Sequence, residues 1–200
     1  CIRDGRYSSL VTQYLAQHPF ERFSFSRRNA ALARFIQAQA PEVASVSLNP
    51  FGLGGGRLNL SFRHPVAMWT SAGVTSFVDS NGIVFVRNYF DNPSVAITDD
   101  SGTTVASGQA TSSGFLSFIG QIEAKLAKNG QTLQRVVIPR GAIRYADIYL
   151  QGRSYPFLVQ IDRETSSQVS DILASVDYID TNKITPQYVD VRVAGKMYWE

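Results

Sequence analysis

The 200-residue chain has one cysteine and only two histidines, His18 and His64. One cysteine closes no internal disulfide, and with two distant histidines it completes none of the Cys/His spacings that hold structural zinc, so no metal site is expected. Each histidine precedes a proline, and neither lies near a serine or cysteine in a nucleophile-elbow context, so both read as structural or surface residues. Long apolar runs are missing too. The longest uncharged window, Ser101 to Ile122, carries Thr103, Thr104, Ser107, Gly108, Gln109, Ser112, Ser113 and Gly114, which is too polar for a membrane span. Excess basic charge is small: 19 Lys plus Arg against 16 Asp plus Glu leave +3, too little for nucleic acid.

What is present is enough apolar material to fold. At 44% hydrophobic and 18% charged, the chain can fill one large core or two small ones. Its charge is uneven. Residues 1–70 hold eight arginines against Asp4, Glu21 and Glu42, a balance of +5, while residues 71–200 hold 11 basic and 13 acidic groups, a balance of −2. A basic end of this kind reads first as a solvated face. Beside an anionic membrane each charge adds about 1 kcal/mol of attraction. The opening Cys1-Ile2-Arg3-Asp4-Gly5 has neither an initiator Met nor a signal peptide, so the sequence reads as a fragment or processed form, and Cys1 as a cut more than as a lipid-bearing terminus.

The spacing of apolar residues predicts the elements. Tyr7, Leu10, Val11, Tyr14 and Leu15 form a helical stripe that stops at His18-Pro19. Leu32, Phe35 and Ile36 form a second, capped by Ser26 and ended before Pro41. The period then falls to 2, with Ala44, Val46 and Leu48 in one strand and Leu58, Leu60 and Phe62 in another across a glycine-rich loop. Beyond Pro65 the pattern is mostly β: Val66–Thr70, Thr75–Asp79, Ile83–Val86, two strands flanking Asp99–Gly102, then Leu133–Ile138, Ala146–Leu150, Phe157–Ile161 and Tyr188–Val193. Two helices interrupt it, one carrying Phe115, Phe118, Ile119, Ile122 and Leu126, the other Val169, Ile172, Leu173 and Val176. The expected class is α+β. A small helix-helix-strand-strand domain (1–70) precedes a larger, mainly antiparallel β domain with two or three helices (71–200).

Catalytic motifs are scarce. Gly52-Leu53-Gly54-Gly55-Gly56 lacks the Lys-Ser/Thr of a phosphate loop and leads into a strand, where no helix N-terminus would face a phosphate. Asp99, Asp100, Asp162, Glu164, Asp171, Asp177 and Asp180 include no pair that spacing selects as acid and base, and no calcium loop is present. Neither enzymatic activity nor a cofactor is expected. The better signal is Tyr188-Val189-Asp190-Val191-Arg192-Val193, which alternates cleanly. A terminal strand is often a sheet edge, whose unpaired backbone groups must be protected or used by a partner.

Several blocks together carry a resemblance. Arg63-His64-Pro65-Val66-Ala67-Met68-Trp69 and Val78-Asp79-Ser80-Asn81-Gly82-Ile83-Val84-Phe85 resemble the R-x-P-V-A-x-W and V-D-x-x-G-x-x-F blocks of the FtsQ/DivIB division proteins. Pro41-Glu42-Val43-Ala44-Ser45-Val46 is similar to that family's approach to its second POTRA strand, and Tyr188-Val189-Asp190-Val191-Arg192 to its closing Y-[IV]-D-[LV]-R strand. The resemblance implies a POTRA domain, whose first strand is not found before Arg6 and reads as cut away, then the family's β domain. It implies a non-enzymatic scaffold at the division septum, outside the cytoplasmic membrane, anchored by an N-terminal helix absent here. FtsB- and FtsL-like proteins would be the partners, with an FtsB-like strand added to the last strand of the β domain. On that view Arg192 meets an acidic partner residue, and Val193, Gly195 and Lys196 line the docking edge. Tyr188, Tyr198 and Trp199 join them because aromatics dominate interface hot spots. Phe62 stands where the family often has an acidic residue, and Val193 where a tyrosine can occur. The other reading of such a chain is a POTRA-bearing module for polypeptide transport in the cell envelope.

Overall fold

The computed structural model describes residues 5–19, 29–51, 55–102, 108–142 and 144–200. Ser26, Gly52 to Gly54 and Thr103 to Ser107, which carry parts of the reading above, lie outside them. The described residues form an α+β protein with four helices, divided into two compact units, 1–64 with 85–90 and 65–84 with 91–200.

In the first unit, α1 (Gly5–Gln17) and α2 (Asn29–Gln39) cover a hairpin of β1 (Val43–Phe51) and β2 (Gly55–Phe62). Pro19 and Pro41 end the helices because neither has an N–H to continue the ladder; the last bonds run from His18 N–H to the Tyr14 carbonyl and from Ala40 N–H to that of Ile36. Tyr7, Tyr14, Leu32 and Ile36 pack on Val43, Val46 and Leu48, with Leu58, Leu60 and Phe62 closing the cluster. The hairpin holds one departure from strict alternation. Val43 is buried and Ala44 exposed, because the register shifts between Val43 and Ser45 as a bulge would make it do.

A polar network sits at the edge of this core. Glu42, 2% exposed, takes hydrogen bonds at Oε1 from Arg6 Nη1 (2.6 Å) and Tyr7 OH (3.0 Å), and the Tyr7 hydroxyl also pairs with that of Tyr89 (2.8 Å). Tyr89 in turn lies 4.4 Å, centroid to centroid, from Phe62, and Phe90 stacks on His64 at 3.6 Å. These contacts explain why a segment from the middle of the sequence belongs to the first unit. Burial, the two hydroxyl partners and the nearby carboxylate all push the Tyr7 phenol far above its ordinary range.

The second unit is built on β3 (Ala67–Ser71), β4 (Val74–Val78), β5 (Val84–Phe85), β6 (Ala96–Asp99), β7 (Leu133–Ile138), β8 (Tyr145–Leu150), β9 (Pro156–Gln160), β10 (Val189–Asp190) and β11 (Tyr198–Trp199). Helix α3 (Ser113–Lys128) links β6 to β7, and α4 (Thr165–Asn182) links β9 to β10. Strand order is β11-β10-β9-β8-β7-β6-β3-β4-β5. The sheet is mostly antiparallel, as expected, but mixed: β10/β11, β3/β4, β7/β8 and β8/β9 run antiparallel, while β3/β6, β6/β7 and β9/β10 run parallel. Two of the parallel pairs, β6/β7 and β9/β10, follow from their connections, since a strand reached through the helical crossover of α3 or α4 arrives in the same direction as the one it left.

Register lines up the core. Val189, Phe157, Ile148, Val136, Ile97 and Trp69 sit side by side across six strands, all buried on the face that α3 and α4 cover. Each such side chain contributes roughly 1.5 to 3 kcal/mol by leaving water. Helix α3 begins where Ser112 Oγ accepts the Phe115 N–H, and α4 where the Glu164 carboxylate accepts those of Ser166 and Ser167, bonds that hold its pKa below the ordinary carboxylate range.

Candidate docking edge

The strand expected over Tyr188–Val193 is shorter in the structure. Val189 and Asp190 pair with Phe157 and Leu158, and the Val191 N–H still donates to the Leu158 carbonyl (3.2 Å). There the ladder stops because the Asp190 side chain takes over: its Oδ1 accepts the Arg192 N–H at 3.0 Å, a local turn that competes with strand pairing. Gly195, at φ 67°, helps turn the chain back, a conformation that costs glycine little. The chain returns as β11, antiparallel to β10, with Trp199 opposite Val189 and Tyr198 opposite Asp190. The outermost strand at this end of the sheet is therefore β11, and Val193, Gly195 and Lys196 occupy the connection before it.

Alternation places the two aromatics of β11 on opposite faces. Trp199, opposite the core residue Val189, lies on the helix-covered face, with its ring 5.6 Å from that of Tyr178 on α4. Tyr198, opposite Asp190, is on the other face and 51% exposed. Val193, Trp199 and Tyr178 are also exposed. A groove of about 200 Å³ runs between Asp171, Ala174, Ser175 and Tyr178 of α4 and the Gly195-Lys196-Met197 stretch. Its far wall is tied down by Asp171 Oδ2, which accepts from Arg163 Nη2 (2.8 Å) and from the Gly195 N–H (3.3 Å). Arg163 also donates to the Val191 carbonyl.

Arg192 is engaged within the chain. Its Nε and Nη2 donate to Asp190 Oδ1 and Oδ2 (2.9 and 2.6 Å), and its guanidinium lies 5.0 Å from the Tyr145 ring centroid. Those bonds raise the Arg192 pKa, and burial opposes but does not prevent a lowered Asp190 pKa. An acidic partner residue would have to share this guanidinium with Asp190. Tyr188 is half-buried just before β10. The sequence reading missed Tyr178, Asp171 and Met197. Tyr178 had a signal: it is an aromatic off the Val169, Ile172, Val176, Ile179 stripe that faces the core.

Other groups singled out in the sequence have structural partners. Asp162 pairs with Arg144 and Asp180 with Arg153, whose fork also reaches the Tyr155 hydroxyl. His18 stacks on Tyr14 at 4.5 Å. Of the N-terminal arginines, Arg3, Arg22, Arg27 and Arg28 lie outside the described residues, and Arg6 is held by Glu42. No helix among the described residues is long and apolar enough to cross a membrane. No protein-family model matches the chain, and no curated protein matches it.

Proposed function

We propose that this chain is the extracytoplasmic part of a non-enzymatic division scaffold of the FtsQ/DivIB type, and that it recruits an FtsB/FtsL-like partner by strand addition on β11. The observation that carries the reading is the short outermost strand β11, flanked by exposed Tyr198, Trp199 and Tyr178 and by the groove on α4. A strand with one row of backbone groups unpaired and aromatics on both faces supplies hydrogen bonds for affinity and side-chain pockets for specificity.

The resemblance blocks gain support from the work their residues do. The Val66 N–H donates to the Val78 carbonyl (2.8 Å), joining the first two blocks. Asp79 Oδ1 accepts the N–H groups of Asn81 and Ile83, and Gly82 sits at φ 81° with the Thr111 carbonyl where a Cβ would be, so the aspartate and glycine of the second block make its turn. In the last block the aspartate and arginine hold each other. The helix-helix-hairpin of the first unit is what a POTRA domain presents after its first strand, and a septal membrane location follows from the same reading.

Hydrogen exchange of this chain with and without the extracytoplasmic segment of an FtsB-like protein tests the mechanism. Strand addition protects an amide of Tyr198 or Trp199, and deleting Tyr198 to Glu200 abolishes binding. Binding that leaves both amides exchanging at their free rate would show that the partner docks elsewhere. A proline at Val191 is a poor probe, because it removes the Val191 N–H bond to Leu158 inside the sheet.

A further inference from the structure

Backbone groups of successive strand residues point to opposite sides, which fixes what β11 turns outward. The Val191 N–H donates to the Leu158 carbonyl on β9, so Val189 faces β9 as well and Asp190 faces β11. Asp190 stands opposite Tyr198, and the Gln187 N–H donates to the Glu200 backbone oxygen, so Tyr198 and Glu200 turn their backbone groups inward. Met197 and Trp199 therefore turn theirs away from the sheet, on the side where no strand follows in the sheet order. Their neighbours carry opposite charges. Lys196, at the rim of the α4 groove, and Glu200 are both exposed and flank Tyr198 at two residues on either side.

The run Lys196-Met197-Tyr198-Trp199-Glu200 is complementary to itself when reversed. We propose that β11 pairs antiparallel with β11 of a second copy of this chain, about a two-fold axis passing beside Tyr198. Met197 and Trp199 of each copy then exchange backbone N–H and C=O bonds with Trp199 and Met197 of the other. Lys196 stands opposite Glu200 of the second copy, and the symmetry makes that ion pair twice. Tyr198 faces its own equivalent, and each Met197 sulfur meets a Trp199 ring, both pairs that stabilise a sheet. Other registers fail. Sliding by one residue sets outward-pointing backbone groups against inward-pointing ones, and sliding by two in either direction parts Lys196 from Glu200. Charge complementarity thus selects both the second copy and the register. This self-pairing goes beyond the scaffold reading and stands without any particular partner. It covers the edge that a partner strand would take, so the two exclude each other.

Two such short strands bury less than the roughly 1,000 Å² of a stable interface, so the dimer is weak and its fraction rises with concentration in sedimentation velocity. Lys196→Glu and Glu200→Lys each set like charges opposite one another in both pairs and weaken self-association roughly tenfold. Mixed in equal amounts, the two variants restore both ion pairs across a mixed dimer and associate as strongly as the wild type. That rescue also shows that both variants fold. A wild-type chain that stays monomeric across the series overturns the proposal. So do variants that self-associate as well as the wild type, or a mixture no stronger than its components. No partner protein enters the measurement, so each of these failures leaves strand addition by a partner to its own test.

Discussion

In the smaller unit the Glu42 carboxylate is almost wholly buried and receives an arginine and a tyrosine hydroxyl at one oxygen. In the larger unit Asp147, on the sheet face away from the helices, has an Oδ1 sealed from solvent with no partner. The difference follows from what each unit has to spend on its core. Among the described residues the first cluster has eight buried apolar residues, and the second has twenty-five. A small core depends on its polar contacts being satisfied, whereas a large one tolerates an unpaired oxygen.

The two largest expected effects test that dependence. Glu42→Leu removes the acceptor of Arg6 and Tyr7 and costs about 3 kcal/mol, the low end for breaking a buried pair, because the Arg6 side chain is 33% exposed and can return to water. Ile148→Ala in the second unit costs about 2 to 5 kcal/mol through the cavity it leaves. Both tryptophans belong to the second unit, so their fluorescence follows that unit in urea while circular dichroism follows both. Glu42→Leu should unfold the first unit early and leave the tryptophan transition in place. If the tryptophan transition moved equally, the units would not be independent and the comparison would fail.

Binding supplies the next effect. Trp199→Ala removes the ring that packs on Tyr178 and weakens an FtsB-like partner by roughly thirtyfold or more, as loss of an aromatic hot spot does. Arg192→Ala should do less to binding directly, since its fork is occupied by Asp190. Isothermal titration of both variants decides the order; a larger loss from Arg192→Ala would mean that the partner displaces Asp190.

Much of this architecture is legible in the sequence because it rests on periodicity. The stripes of Tyr7 to Leu15 and Phe115 to Leu126 form α1 and α3. The parts that were not legible depend on distant partners or on side chains that compete with the backbone. Parallel pairing of β6 with β7 is set by the α3 crossover, and that of β3 with β6 by strands distant in sequence, neither of which alternation encodes. Tyr188 to Val193 alternates as a long strand would, yet Asp190 captures the Arg192 N–H and moves the edge to Tyr198 and Trp199. Tyr89 shows no local pattern that would assign it to Tyr7, 82 positions away.

The smallest effect concerns Asp147. Burial raises its pKa above the ordinary value of 3.8, and attraction from Arg192 offsets that only in part. Between the ordinary and the raised value the folded chain binds more protons than the unfolded one, so stability falls as pH rises through this window. Asp147→Asn should remove that loss, giving a small rise in Tm at pH 7. At pH 3 the wild-type side chain is already mostly protonated and the gain should vanish. Glu42→Gln in the first unit should instead lower stability at pH 7, because it gives up a charge-assisted bond from Arg6. Melting curves of both variants at the two pH values test the contrast directly. A stabilising Glu42→Gln, or an Asp147→Asn gain that persists at pH 3, would mean that partner supply does not separate these two carboxylates.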